Sequence, residues 1–92
     1  MEINSLPLSD LPVPPGDYLA EVLTEFKLSQ AELARRIGRP AQVISEIVRG
    51  RKAITAHTAL QLEDALGVSA VFWLNMEAMY QLALAQQLRR AS

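Results

Sequence analysis

The chain has 92 residues, half of them apolar and 21% charged, with a net charge of −1. That length bounds one domain with a real core and leaves little room for a second. There is no cysteine, so disulfides and thiolate metal sites are excluded, and a reducing compartment is expected.

Residues 1–14 read as an extended arm, mobile when free. Four of the five prolines (Pro7, Pro12, Pro14, Pro15) fall within nine positions. Each removes a backbone donor and fixes φ, so neither helix nor sheet can run through. Leu6, Leu8, Leu11 and Val13 alternate there with other residue types. The opening Met1-Glu2-Ile3-Asn4 lacks the basic stretch of a signal peptide, and no run of about eighteen apolar residues follows. The expectation is a soluble cytoplasmic protein with no membrane contact.

Residues 15–92 read as one all-α domain of five helices. The first starts at Pro15-Gly16-Asp17, since proline suits the first turn and an acid complements its positive end. Leu19, Val22, Leu23 and Phe26 recur at helical spacing, and Lys27-Leu28 close it. Ser29 with Glu32 three places later forms a capping box for the second helix. Leu33, Ala34 and Ile37 are its buried face, and Gly38 its left-handed stop. The third begins near Pro40 or Ala41, carries Val43, Ile44, Ile47 and Val48, and stops at Arg49-Gly50. Thr55 caps a fourth, with Ala59, Leu60, Leu62 and Leu66 inward and Gly67 at its end. Ser69 caps a fifth that runs to about Leu88.

Helices two and three, with few residues between them, meet the constraints of a helix-turn-helix. Ala34 permits close approach, Gly38 supplies the turn, and Leu33, Ile37, Ile44 and Ile47 lock the pair. The charge distribution agrees. Residues 35–52 hold six bases against one acid, Glu46, whereas the rest of the chain holds three bases and nine acids. Nucleic-acid binding follows the local field rather than the net charge.

At this point the chain resembles a known family. Leu28-Ser29-Gln30-Ala31-Glu32-Leu33-Ala34-Arg35-Arg36-Ile37-Gly38 is similar to the opening of a lambda-repressor-like domain of the Xre class. Pro15-Gly16-Asp17-Tyr18-Leu19, the stretch Ile44 to Thr55, and Phe72-Trp73-Leu74-Asn75-Met76-Glu77-Ala78 bring it closer to the HigA group of antitoxins. The resemblance covers about residues 14–86. It implies an antitoxin that binds a RelE-like HigB toxin and, as a dimer, represses its own operon. Pro40 departs from the family's usual Ser or Thr, which bears on where the third helix starts. Relatives that continue into a zinc peptidase carry a His-Glu-x-x-His motif, which this sequence lacks.

A recognition helix reads base edges with the outward residues of its first two turns. Those are Ala41, Gln42, Val43, Ser45 and Glu46. Gln42 offers a donor and an acceptor matched to adenine, and Ala41 or Val43 suits a thymine methyl. Glu46 can accept from cytosine or orient Arg49 or Arg35; the second is favoured. Gln30, Arg39, Arg49, Arg51 and Lys52 are the expected phosphate contacts.

Helix five carries more apolar surface than one small domain covers. Phe72, Met76, Met79 and Ala83 form one face. Val71, Leu74, Ala78, Leu82 and Ala85 form another, with Trp73, Tyr80 and Leu84 between them. A two-fold homodimer through Val71, Trp73, Leu74, Ala78, Leu82 and Ala85 is expected. It would set two recognition helices on an inverted repeat in double-stranded operator DNA. A small enzyme is disfavoured: His57 is the only histidine and cysteine is absent, so no metal triad or Cys–His pair can be built. No cofactor, metal or small-molecule substrate is expected. A plain Xre-type repressor without a toxin is the alternative.

Overall fold

The computed structural model describes residues 12–91, all but the first part of the arm and the last residue. Five helices follow one another: α1 Pro15–Glu25, α2 Gln30–Ile37, α3 Ala41–Val48, α4 Ala56–Leu66 and α5 Ala70–Ala91. Among the described residues there is no strand. Within the arm, residues 1–11 lie outside the described residues; Pro14 is extended, at φ −69° and ψ 146°.

The helix boundaries follow local chemistry. Ser29 Oγ accepts from the Glu32 amide at 3.0 Å, and Glu32 Oε1 accepts from the Ser29 amide at 2.8 Å, so the capping box is complete. Gly38 sits at φ 69° and Gly50 at φ 75°. Behind each, the next amide reaches back to a carbonyl five residues earlier, Arg39 to Ala34 and Arg51 to Glu46. With the glycine's own amide donating three residues back, Gly38 to Arg35 and Gly50 to Ile47, each end is a Schellman stop. α1 ends the same way, with Leu28 N–H donating to the Leu23 carbonyl, but its left-handed residue is Lys27 at φ 54°. Thr55 caps α4 through the Thr58 amide, and Ser69 caps α5 through the Val71 amide.

Leu19, Leu33, Ile44, Ile47, Leu62 and Trp73 are the largest fully buried side chains, and they draw on all five helices. Burying each such side chain is worth roughly 2 kcal/mol in transfer free energy. α2 packs on α3, α3 on α1, and α4 on α5. Where α1 crosses α3, Gly16 lies against the Ile47 carbonyl, and a Cβ there would collide with that backbone. Tyr18 of α1 meets Phe72 edge-on and Trp73 at a tilt, with ring centroids 5.4 and 5.5 Å apart.

Three expectations need correction. Phe26 is half exposed, because α1 ends at Glu25 and the Lys27 turn leaves Phe26 facing outward. Leu60 is also exposed. The inward position on α4 belongs to Thr58, whose hydroxyl accepts from the Thr55 hydroxyl and from Arg39. On α5 the inward line is the one placed between the two apolar faces. Ala70, Trp73 and Glu77 are buried, and Tyr80 and Leu84 are partly so. Trp73 is 0% exposed, and its Nε1 donates to the Val68 carbonyl at 3.1 Å. It is a core residue of its own chain and offers no surface to a second copy.

Candidate nucleic-acid interface

α3 buries Ile44 and Ile47 and turns its other side outward. Ala41 and Gln42 are exposed; Val43, Ser45 and Glu46 are partly so. The five residues expected to read bases therefore all keep solvent access. Pro40 precedes them at φ −61° and ψ 145° and makes no side-chain cap, so helical geometry begins at Ala41. Proline has no acceptor to offer, but its fixed φ feeds the chain into the first turn.

Gln42 and Glu46, one turn apart, are brought together. Gln42 Nε2 donates to Glu46 Oε2 at 3.3 Å. Glu46 therefore orients Gln42, in place of the Arg49 or Arg35 favoured from sequence. The bond presents the Gln42 amide in one orientation, with its second N–H and its carbonyl oxygen left over as donor and acceptor.

The expected phosphate contacts divide into two groups. Gln30 opens α2 and is exposed, as are Arg49, Arg51 and Lys52 beyond the end of α3. Each therefore keeps the solvent access that the expected phosphate contact requires. Arg39 is different. Its Nη1 donates to Gln61 Oε1 at 2.9 Å and to Thr58 Oγ1 at 3.2 Å, so the guanidinium leans on α4. That engagement leaves Arg39 the weakest member of the expected phosphate set. Gln61 Nε2 in turn donates to the Ile37 carbonyl at 3.0 Å, fastening the turn of the motif to α4.

Two carboxylates were not anticipated. Glu63 Oε2 accepts from the Ala70 amide at 3.2 Å and helps start α5. Glu77 is buried on α5. Its Oε1 accepts from the Ile54 amide at 2.9 Å and its Oε2 from Gln81 Nε2 at 2.7 Å. Once the bulk of Trp73 marks the inward line, the spacing of Ala70, Trp73 and Glu77 puts this carboxylate on it. His57, in the first turn of α4, is exposed. Among the described residues no helix is long and apolar enough to cross a membrane.

The family model described as helix-turn-helix matches residues 19–73. Virulence-associated protein I of Dichelobacter nodosus is 42% identical over 74 residues, which is 79% of this chain and 68% of that protein. Among solved structures, the Pseudomonas aeruginosa antitoxin HigA with the higBA promoter superposes with a TM-score of 0.83 at 36% identity. That match covers 88% of this chain and 89% of the other. An addiction module antidote protein of the HigA family from Coxiella burnetii gives 0.78, also at 36% identity, over 83% and 84%.

Proposed function

The chain belongs to the helix-turn-helix family, in its HigA group, and on that premise we propose that it is a DNA-binding repressor and antitoxin. The family is one of DNA-binding proteins rather than enzymes. The observation that carries the reading is the outward face of α3. An oriented, exposed Gln42 stands on a helix locked from behind by Ile44 and Ile47 and followed by a cationic loop. This is the shape of a helix that enters a major groove, with phosphate contacts flanking base contacts. Ala41, Gln42, Val43, Ser45 and Glu46 face the bases. Gln30, Arg49, Arg51 and Lys52 hold the backbone, with Arg39 in a lesser part. The HigA relative bound to a promoter supports the assignment.

Two finer parts of the proposal rest on the same family membership. The first is a two-fold dimer through α5. Val71, Ala78, Leu82 and Ala85 are exposed along one line of the helix, with Leu74 partly so. Val71 is 66% and Leu82 55% exposed. Residues of this kind in a line at helical spacing suit an isologous contact. Two recognition helices would then sit about 34 Å apart, one DNA turn, and read an inverted repeat. The second is a partner toxin of the HigB type, encoded beside this chain.

The test combines binding with growth. The protein is titrated against DNA from upstream of its own gene and against a scrambled duplex. Preference for the first is expected. Gln42→Ala should lose about tenfold or more of that preference, on the scale of one bidentate base contact, with thermal stability nearly unchanged. Equal affinity for both duplexes in the unsubstituted protein overturns the repressor reading. The adjacent reading frame is then expressed alone and with this chain. Growth arrest relieved by co-expression is expected for an antitoxin; arrest without relief, or no arrest, removes the toxin and leaves a plain repressor.

A further inference from the structure

We infer that Glu77 is a positioning residue for DNA binding: from α5 it holds the cationic loop between α3 and α4 in the place where Arg51 and Lys52 can meet phosphates. The inference rests on the DNA-binding reading above and assigns a role to a residue that touches no nucleic acid.

The loop runs from Gly50 to Thr55. At its start it is fixed by the Gly50 stop of α3, where the Arg51 amide reaches the Glu46 carbonyl at 2.8 Å. At its end Thr55 caps α4. Arg51, Lys52 and Ala53 are exposed between these points. Ile54 is 2% exposed, so its amide has little water to turn to. Glu77 Oε1 satisfies that amide, across 23 positions of sequence. A buried amide without a partner is costly, and a loop that must expose it to water moves away from the core.

The choice of a carboxylate is informative. Burying one is unfavourable unless its oxygens are bonded. Here each oxygen has a donor, one from the loop and one from Gln81 on the next turn of α5. An apolar side chain on this line would pack with Trp73 and Ala70 but leave Ile54 unbonded. Glu77 also shares a cavity of about 140 Å³ with Gly50, Arg51, Lys52 and Tyr80. Its carboxylate thus lies on the inner side of a loop whose two basic residues are exposed. The same helix carries the proposed dimer surface on another face. One rigid helix therefore ties the loop of each protomer to the axis that sets half-site spacing.

The experiment uses the whole chain and the DNA upstream of its gene, at a temperature where every variant is folded. Glu77→Ala should weaken binding about tenfold, the scale of one charge-assisted bond. The slope of log affinity against log salt should fall by about one to two units as Arg51 and Lys52 disengage. Hydrogen exchange at the Ile54 amide should speed up about tenfold or more while the Leu62 amide keeps its rate. Glu77→Gln retains an acceptor without the charge and should restore most of each loss. Gln81→Ala, at an exposed position, should shift binding and exchange in the same direction by less. Unchanged affinity and salt slope in Glu77→Ala would overturn the inference, and so would equal acceleration of Ile54 and Leu62, the mark of a purely global loss of stability. If the unsubstituted protein binds DNA without salt dependence, the DNA-binding reading itself fails, a result separable from any difference between variants.

Discussion

α2 and α3 have eight residues each and are held in opposite ways. α2 carries its own stops: a reciprocal capping box at one end and a left-handed glycine at the other. Its interior is Ala, Glu, Leu and Arg, good helix formers. α3 has no side-chain cap and holds four β-branched residues, Val43, Ile44, Ile47 and Val48, which form helix less readily. What fixes α3 is its surroundings. Ile44 and Ile47 are sunk in the core, and Gly16 lets α1 press directly on the Ile47 carbonyl. A helix stabilised from behind leaves its outward residues free to serve recognition. α2 is the strut, and α3 is the proposed reading head mounted on it.

The largest effect should come from breaking the mount. In Gly16→Ala the added methyl meets the Ile47 carbonyl, a backbone atom that cannot rotate aside. Overpacking of that kind against backbone costs about 3 kcal/mol. Urea unfolding measures it, and amide exchange locates it: the Ile44 and Ile47 amides should lose more protection than those of α2. A loss under about 1 kcal/mol would mean that α3 is not held by this crossing.

The strut was legible in the sequence, and so were Ile44 and Ile47 behind α3; the close crossing at Gly16 and the long-range bonds were not, for a physical reason. Capping box, turn glycines and threonine cap are local signals, readable within four or five positions. Glu77 to Ile54 and Gln61 to Ile37 span 23 and 24 positions and follow from no periodicity. Arg39 shows the same limit. A base in a basic segment reads as a phosphate contact, and only the fold reveals that Thr58 and Gln61 stand beside it. On α5 the difficulty was an excess of apolar residues. With nearly every position hydrophobic, spacing alone does not select the inward line, and the bulk of Trp73 does.

A middle-sized effect tests the strut. Ser29→Ala should cost about 1 kcal/mol at neutral pH, the usual value of a lost N-cap. The other half of the box titrates. The Glu32 carboxyl is held below its ordinary 4.5, first by the Ser29 amide, then by the Ser29 hydroxyl, with smaller help from Arg35 and Arg36. A carboxyl lowered in the folded state contributes stability above its ordinary value, and that contribution is lost as pH falls through the lowered one. Glu32→Gln keeps an acceptor without the charge. It should therefore be less stable than the unsubstituted chain at neutral pH and converge with it in acid. Parallel stability curves across that range would show that the charge adds nothing to the cap.

The smallest effect should come from giving α3 the cap that α2 already has. Pro40→Ser places a hydroxyl where the amides of Gln42 and Val43 can donate, a gain of about 1 kcal/mol in favourable hosts. Against it stands the loss of proline's constraint on the unfolded chain, about 0.4–1 kcal/mol at a compatible φ. Pro40 sits at φ −61°, so its ring is unstrained and the full constraint is lost on substitution. The two terms nearly cancel, and global stability should change by no more than about 0.5 kcal/mol. Local exchange should still respond, with the Gln42 amide slowed while that of Ile47 is unaffected. A net gain well above 1 kcal/mol would mean that proline contributes nothing through the unfolded state. It would also mean that α3, like α2, draws its stability from its own first turn rather than from the helices behind it.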